Sequence, residues 1–319
     1  MTDSDSNSLS FYQLLPDQVL DAIESVGIEP QAALLALNSY ENRVYQFRDW
    51  DEKRWVVKFY RPQRWSDQQI LEEHQFSIEL AEAEIPVVAP VCFNNKTLLE
   101  HQGFRFAIFE SQGGRTPDLE NGEYLAWIGR FIGRIHALGA TKPFQHRPTL
   151  SLQSFAIESV NFLLENEFIP SHILPAYQAI SQQLIEISAT QFDWLGDYSR
   201  IRLHGDCHPS NLLWTDSGPH FVDFDDARMG PAVQDLWMLI DNFEDKSLWN
   251  KMLGGYEDFM DFDDRQVKIV EPLRAMRMIH YSAWLARRWQ DPAFPRNFPW
   301  FNTTRYYLHM YHSMKEGRK

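Results

Sequence analysis

His204-Gly205-Asp206-Cys207-His208-Pro209-Ser210-Asn211 is followed closely by Phe221-Val222-Asp223-Phe224-Asp225. Between the two stretches, Leu212-Leu213-Trp214 and His220-Phe221-Val222 flank the turn-rich Thr215-Asp216-Ser217-Gly218-Pro219. That pattern reads as a tight hairpin. With Ser217 at its midpoint, Asn211 and Asp223 are equally far from the tip, so the hairpin sets two oxygen ligands side by side near the Asp206 carboxylate. Two oxygen ligands beside one carboxylate base suit Mg²⁺ and a nucleotide phosphate. The chemistry to which they point is phosphoryl transfer.

Other readings of the same residues carry less. His204 and His208 have the spacing of a helical zinc pair, but Gly205 and Pro209 oppose a helix there. No Glu stands between them, and the neighbouring Asp and Asn oxygens favour a hard cation. A purely structural acidic loop accounts for His204 and leaves the Asp206, Asn211 and Asp223 set unexplained.

The chain has 319 residues, 44% of them apolar, enough for a large core in one domain or two lobes. No run of eighteen apolar residues is present, so no membrane span is expected. The polar, acidic start Met1-Thr2-Asp3-Ser4-Asp5-Ser6-Asn7-Ser8 is unlike a signal peptide and reads as a loose tail. Cys92 and Cys207 are the only cysteines, which fits a reducing, cytoplasmic compartment. A formal charge of −14 excludes a basic nucleic-acid surface and admits a cationic acceptor or basic protein partner.

Working outward, residues 15–27 have helical spacing. Leu37-Asn38-Ser39-Tyr40-Glu41-Asn42 reads as a turn feeding a strand. The next strand, Arg54 to Tyr60, places Trp55, Val57 and Phe59 on one face and Val56, Lys58 and Tyr60 on the other. Lys58 thus lies on an apolar face where its ammonium needs an anion, although a lysine can also snorkel from such a site. Ser66 with Gln69 forms a capping box for a helix carrying Glu72 and Glu73. Residues 86–90 and 104–109 look extended, and Gly113-Gly114 punctuates the chain. Beyond that point Leu125, Ile128, Ile132, Ile135 and Leu138 form an apolar stripe closed by Gly139, and helical segments fill residues 151–192 and the region after Asp235. His136 reads as structural. The expected division is residues 1–34 as tail and helix, 35–112 as a small β-rich lobe, and 113–319 as a large, mainly α-helical lobe.

The loop 204–211 and the run Val222-Asp223 to Gly230-Pro231 and Asp235-Leu236 resemble the motifs of the aminoglycoside phosphotransferase and choline kinase group. The Asp206–Asn211 spacing is also that of a protein-kinase catalytic loop. The resemblance implies an α+β, bilobal, protein-kinase-like fold. Residues 37–47, 57–62 and 70–76 are further similar to bacterial stress-response Ser/Thr protein kinases of that group. Carried across residue by residue, Asp206 is the catalytic base, while Asn211 and Asp223 hold Mg²⁺. Lys58 holds the α- and β-phosphates of ATP and Glu73 orients it. Ser39 and Asn42 lie in the phosphate-covering turn, and Glu110 to Gln112 form the adenine hinge. Asp235 braces the catalytic loop.

The implied partners are ATP and the Ser/Thr of a protein, its own chain included, with the protein a monomer. An amino-alcohol or aminoglycoside is the alternative acceptor, for which the aromatic set Trp284, Trp289, Phe294, Phe298, Trp300 and Phe301 could form a cage. A catalytically silent nucleotide-binding module is a third reading, opposed by the intact Lys58, Asp206, Asn211 and Asp223. The phosphate turn lacks the glycines of an ordinary kinase, so side chains of Ser39 and Asn42 are expected to stand in for free backbone amides. Asp206 beside Cys207 argues against a redox-active thiolate.

Overall fold

A computed structural model of the chain describes residue 11 and residues 14–240 and 246–316. The acidic start read as a tail lies outside the described residues. Helix α1 (Pro16–Glu24) begins the described fold, with Val19, Ala22 and Ile23 fully buried. An antiparallel sheet follows from β1 (Leu35–Ala36), β2 (Arg43–Arg48), β3 (Arg54–Phe59), β4 (Leu99–His101) and β5 (Phe104–Glu110), ordered β1-β2-β3-β5-β4. Lys58 on β3 stands between Val44 of β2 and Ala107 of β5, and its backbone is therefore fixed from both sides.

The period of two decides what each face does. Trp55, Val57 and Phe59 pack with Phe47, Phe104, Phe106 and Ile108 over Val19 and Ile23 of α1, making one small core. The opposite face carries Lys58 and Tyr60. Against it lies α2 (Asp67–Glu82), opened by the Ser66/Gln69 capping box in which Ser66 Oγ accepts from Gln69 N and Gln69 Oε1 accepts from Ser66 N. Tyr60 packs with Ile70 of this helix, and its hydroxyl lies 2.6 Å from His74 Nε2.

The rest of the described chain is mainly helical: α3 (Gly122–Gly139), α4 (Glu158–Glu165), α5 (Leu174–Leu195), α6 (Lys246–Tyr256), α7 (Val270–Arg287), α8 (Ala293–Asn297) and α9 (Thr304–Glu316). Asn121 caps α3 by accepting from Glu123 N and Tyr124 N. The apolar stripe of α3 is buried as its spacing implies, but its glycines do separate work. A Cβ on Gly129 would lie 2.0 Å from Met252 O, and one on Gly133 2.4 Å from Tyr256 O. Helices α3 and α6 therefore touch backbone to backbone, leaving room for no side chain between them.

Two short ribbons interrupt the helices: β6 (Ile201–Leu203) with β9 (Arg228–Gly230), and β7 (Leu212–Thr215) with β8 (Gly218–Phe221). Residues 86–90 tie the first sheet to the second ribbon: Phe221 N donates to Pro86 O at 2.8 Å and Val88 N to Phe221 O at 3.1 Å. The chain is thus an α+β molecule with a small β-rich part and a large helical part, and the hairpin of the sequence reading lies between them.

Candidate active site

Strands β6 and β9 pair with Leu203 opposite Arg228, so the loops that follow β6 and precede β9 run side by side. Gly205 makes this approach possible. Its φ is +84°, and a Cβ there would sit 2.1 Å from Asp226 O. Asp235, almost fully buried, then fastens the first loop: its carboxylate accepts from His204 N at 2.7 Å and Gly205 N at 2.8 Å, with His136 Nε2 at 3.0 Å. His136 in turn meets Tyr256 Oη at 3.1 Å. His204 is scaffolding as well. Its Nε2 lies 2.9 Å from Val222 O while Nδ1 accepts from Asp206 N, which assigns the ring as neutral with its proton on Nε2. No zinc pair forms: His208 instead accepts from Ser210 N through Nδ1 and sets Nε2 3.4 Å from Asp206 Oδ2.

The hairpin forms, with one change of register. Thr215 pairs with Gly218 and Leu212 with Phe221, so the tip is the two-residue Asp216-Ser217 and Asn211 falls opposite Val222, not Asp223. Val222 N donates to Asn211 O at 3.1 Å. Asp223, one residue further, takes a left-handed conformation with φ +62° and ψ +66° that turns the chain sharply. Such a backbone is uncommon for a residue other than glycine and recurs at functional sites. Asn211 Nδ2 donates to Asp206 O at 3.0 Å, which leaves the amide oxygen as its free acceptor.

Lys58 is nearly buried, and its Nζ lies 2.9 Å from Asp223 Oδ1 and 3.2 Å from Asp225 Oδ1. Burial works to lower its pKa, but Asp223, Asp225 and Glu73 outweigh it and hold the ammonium firmly charged. Among the described residues no ion pair joins Glu73 to Lys58, whose ammonium reaches Asp223 and Asp225; Glu73 acts on it through its nearby charge. Glu73 is buried with Oε2 unpartnered, and burial, opposed by Lys58 and reinforced by Asp225, pushes its carboxyl up to about 7. Its neighbour Glu72 is no mere solvent-facing residue. It accepts from the backbone N–H groups of Gln145, His146 and Arg147 at 2.5–2.8 Å and fixes α2 to the helical part.

The phosphate turn also departs from expectation. Asn42 points inward: Nδ2 donates to Asp225 Oδ2 at 3.1 Å and Oδ1 accepts from Arg61 N at 3.1 Å. Its side chain therefore braces the turn and is not presented to a phosphate. Ser39 sits half-buried in the same turn. The carbonyls of Tyr40 and Glu41 accept from Arg61, so across each trans peptide the N–H groups of Glu41 and Asn42 point the other way. At the end of β5, Glu110 pairs with Lys53, Ser111 N donates to Arg54 O, and Gln112 is exposed where the sheet releases the chain.

Sequence spacing missed five groups that shape the site. Arg64 pairs with Asp225 and Asp226, and Arg228 reaches Asp226 at 2.6 Å. Arg147 donates to the carbonyls of Asp225 at 2.5 Å and Ala227 at 2.7 Å and so props up the segment after Asp223. Glu41 is held against α7 by Trp284 Nε1 and, just past the helix end, by Arg288 at 2.7 Å. Arg277, also on α7, places Nη1 2.6 Å from Asp206 Oδ1. Burial raises the Asp206 carboxyl, but Arg277 and His208 overcome it and hold the group at about 2, ionised at neutral pH.

Burial, with Asp235 and Asp206 adding to it, raises the Cys207 thiol far above its usual range and keeps it protonated. The aromatic set does not form a cage. Phe294, Phe298 and Phe301 are core residues, Trp284 binds Glu41, and within the set only Trp300 is exposed.

Charged oxygens, a buried lysine and an ionised aspartate converge here as phosphoryl transfer requires, and residues 34–269 match the model of the phosphotransferase enzyme family. The chain belongs to that family. It is 49% identical over 305 residues to Stress response kinase A of Escherichia coli strain K12, covering 95% of this chain and 92% of that one. It is also 47% identical to the Serine/threonine protein kinase RdoA of Salmonella typhimurium strain LT2, covering 94% and 92%. Among solved structures, the amicoumacin kinase hAmiN in complex with AMP-PNP and Ca²⁺ superposes with a TM-score of 0.66 at 19% identity, over 80% of each chain. The fold is bilobal and protein-kinase-like. No described helix is long and apolar enough to cross a membrane.

Proposed function

We propose that this chain is an ATP-dependent Ser/Thr protein kinase that moves the γ-phosphoryl group to a protein hydroxyl, its own included. The observation that carries the reading is the Lys58–Asp223 ion pair beside Asp206, whose loop is joined through Asn211 to Val222, the residue before Asp223. The protein acceptor rests on the relative named a serine/threonine protein kinase, matched over 94% of this chain.

A divalent cation fits the residues present. Asp223 is half-exposed, and Asn211 has its amide nitrogen engaged and its oxygen free, giving hard oxygen donors on adjacent backbone. Asn211 and Asp223 would hold Mg²⁺, which supplies charge neutralisation on the phosphates when bound. Lys58, steered by two carboxylates, holds the phosphates. The outward N–H groups of the turn at Glu41 and Asn42, with the Ser39 hydroxyl, cover them. The segment 110–112 offers its backbone to adenine. Asp206, ionised and fixed by its loop, accepts the hydroxyl proton of the acceptor.

The test is transfer of labelled γ-phosphate from ATP and Mg²⁺ to a generic protein and to the chain itself, with amino-alcohols in parallel and Asp206→Ala as control. Asp206-dependent label on protein Ser or Thr is the expected result. Label confined to a small alcohol would replace protein with a small-molecule acceptor.

A further inference from the structure

Asp206 Oδ1 is buried and lacks a hydrogen-bond donor, even though Arg277 Nη1 lies only 2.6 Å away. The guanidinium approaches off the line that a hydrogen bond needs. The oxygen is therefore charged and keeps a lone pair for one O–H donor, but it is covered, and an acceptor hydroxyl reaches it only when the Arg277 guanidinium moves aside. A hydroxyl bonded to Oδ1 at ~2.7 Å would put its oxygen within about 5.3 Å of the place Arg277 Nη1 occupies. The phosphorus that this oxygen attacks lies within the same small region.

The other cations around the site are already engaged. Lys58 is tied to Asp223 and Asp225, Arg64 to Asp225, Asp226 and Glu41, Arg228 to Asp226, and Arg147 to backbone carbonyls. Arg277 has one ion pair among the described residues, and its side chain is 38% exposed. It carries a planar fork of five donors, suited to phosphate oxygens. From above, the turn at residues 38–42 offers less than a glycine-rich loop would, since Asn42 is turned inward and Glu41 is anchored to α7. A cation rising from α7 makes up that deficit.

Building on the kinase reading, we propose that Arg277 is a further catalytic residue, binding the non-bridging oxygens of the phosphoryl group while it passes from nucleotide to acceptor. In that step the acceptor O–H proton goes to Asp206 and the acceptor oxygen bonds to the γ-phosphorus. The bond to the β,γ-bridging oxygen breaks, and its electron pair leaves on ADP. Arg277 swings from Asp206 Oδ1 toward charge that is shared among the phosphoryl oxygens, a role that protein-supplied arginines fill in other phosphoryl transfers.

The experiment compares wild type, Arg277→Ala and Arg277→Lys in the labelled transfer assay. It also compares binding of Mg·AMP-PNP, a ground-state mimic, with binding of Mg·ADP plus aluminium fluoride, a mimic of the transferring phosphoryl. The account expects Arg277→Ala to lower kcat by about 10²–10³-fold, with KM for ATP within about threefold of wild type. It expects weaker binding of the aluminium fluoride complex at unchanged AMP-PNP affinity, and partial recovery of both readouts in Arg277→Lys. Equal weakening of both mimics, or a kcat within threefold of wild type, would reduce Arg277 to a support for Asp206 and overturn the proposal. A wild type that binds both mimics yet transfers nothing would sink the kinase reading, while the two binding constants would still decide the part played by Arg277.

Discussion

The loop from His204 to Asn211 and the turn from Asn38 to Asn42 face the same chemistry but are held in different ways. The loop is fastened by neighbours and by one buried carboxylate: Asp235 takes two of its N–H groups, and the hairpin behind it closes within twelve residues. The turn is fastened by the Arg61 side chain and backbone, about twenty residues on, and by side chains from far along the chain. Glu41 reaches Trp284 on α7 and Arg288 just past it, and Asn42 reaches Asp225, each more than 180 residues away. Local backbone geometry therefore makes the part that does chemistry rigid. The turn proposed to cover the nucleotide hangs largely on side-chain ion pairs and hydrogen bonds that can be exchanged. Rigid catalytic groups under a detachable cover are an arrangement by which substrate can enter without disturbing the base.

The sharpest way to break this contrast is at Asp235. Asp235→Ala leaves two backbone N–H groups and His136 Nε2 buried without a partner and is expected to cost about 3–5 kcal/mol, read by urea unfolding. Transfer activity should vanish with the loop. A loss below 1 kcal/mol would show that the loop does not depend on its buried carboxylate. On the other side, Glu41→Gln should cost less, about 1–2 kcal/mol, because Gln keeps the shape and one acceptor oxygen while Arg61 and Arg64 retain Asp291, Asp225 and Asp226 as partners. Its larger effect should fall on nucleotide affinity and release, measured by stopped-flow. If the two substitutions cost the same, the division into rigid loop and detachable cover is wrong.

A double-mutant cycle between Glu41 and Arg288 sharpens the point. It should return a coupling of about 0.5–2 kcal/mol, while a cycle between Glu41 and Asp235 should return nothing.

Acid reaches both parts alike. His74, against Tyr60, Thr97 and Glu73 on the sheet side, and His280, against Ser159 and Phe155 with Arg228 and Asp226 nearby on the α7 side, are each held neutral, chiefly by burial, with pKa values of about 3. A folded-state value below the unfolded one means the stability is fully present above pH 6.5 and is lost as pH falls from there toward 3. Between pH 7 and pH 5.5 each histidine should cost roughly 1 kcal/mol, seen as a lower urea midpoint that His74→Gln partly abolishes. Glu73, whose carboxyl is held up at about 7, gains stability over the same range and offsets part of this loss, so a pH dependence left unchanged by His74→Gln would contradict the buried neutral assignment.

The same contrast explains what the sequence made legible. Asp206, Asn211 and Asp223 stand within eighteen residues of one another, and the Ser66/Gln69 box within four, so spacing alone positions them. The alternation along β3 told which face Lys58 shares. The hairpin register slipped by one because a two-residue tip is tighter than a midpoint at Ser217 implies, and only the backbone shows that Asp223 turns left-handed. Arg64, Arg147, Arg277, Glu41 and Arg288 left no trace in the pattern. Each is an unremarkable surface-type residue whose partner lies in a different segment, and nothing local distinguishes it from a solvated charge. The inward side chain of Asn42 and the absence of a direct Glu73–Lys58 ion pair have that same origin, since both depend on where residues 223–226 come to rest.

The most direct test of the central claim is Asp206→Asn, which preserves shape and removes the base. Titrating ATP·Mg²⁺ and following labelled transfer on this variant should show nucleotide affinity near that of wild type, with transfer lowered about 10²–10⁴-fold. Transfer at the wild-type rate, or nucleotide affinity lost along with it, would contradict Asp206 as the base of a phosphotransferase site built on Lys58, Asn211 and Asp223.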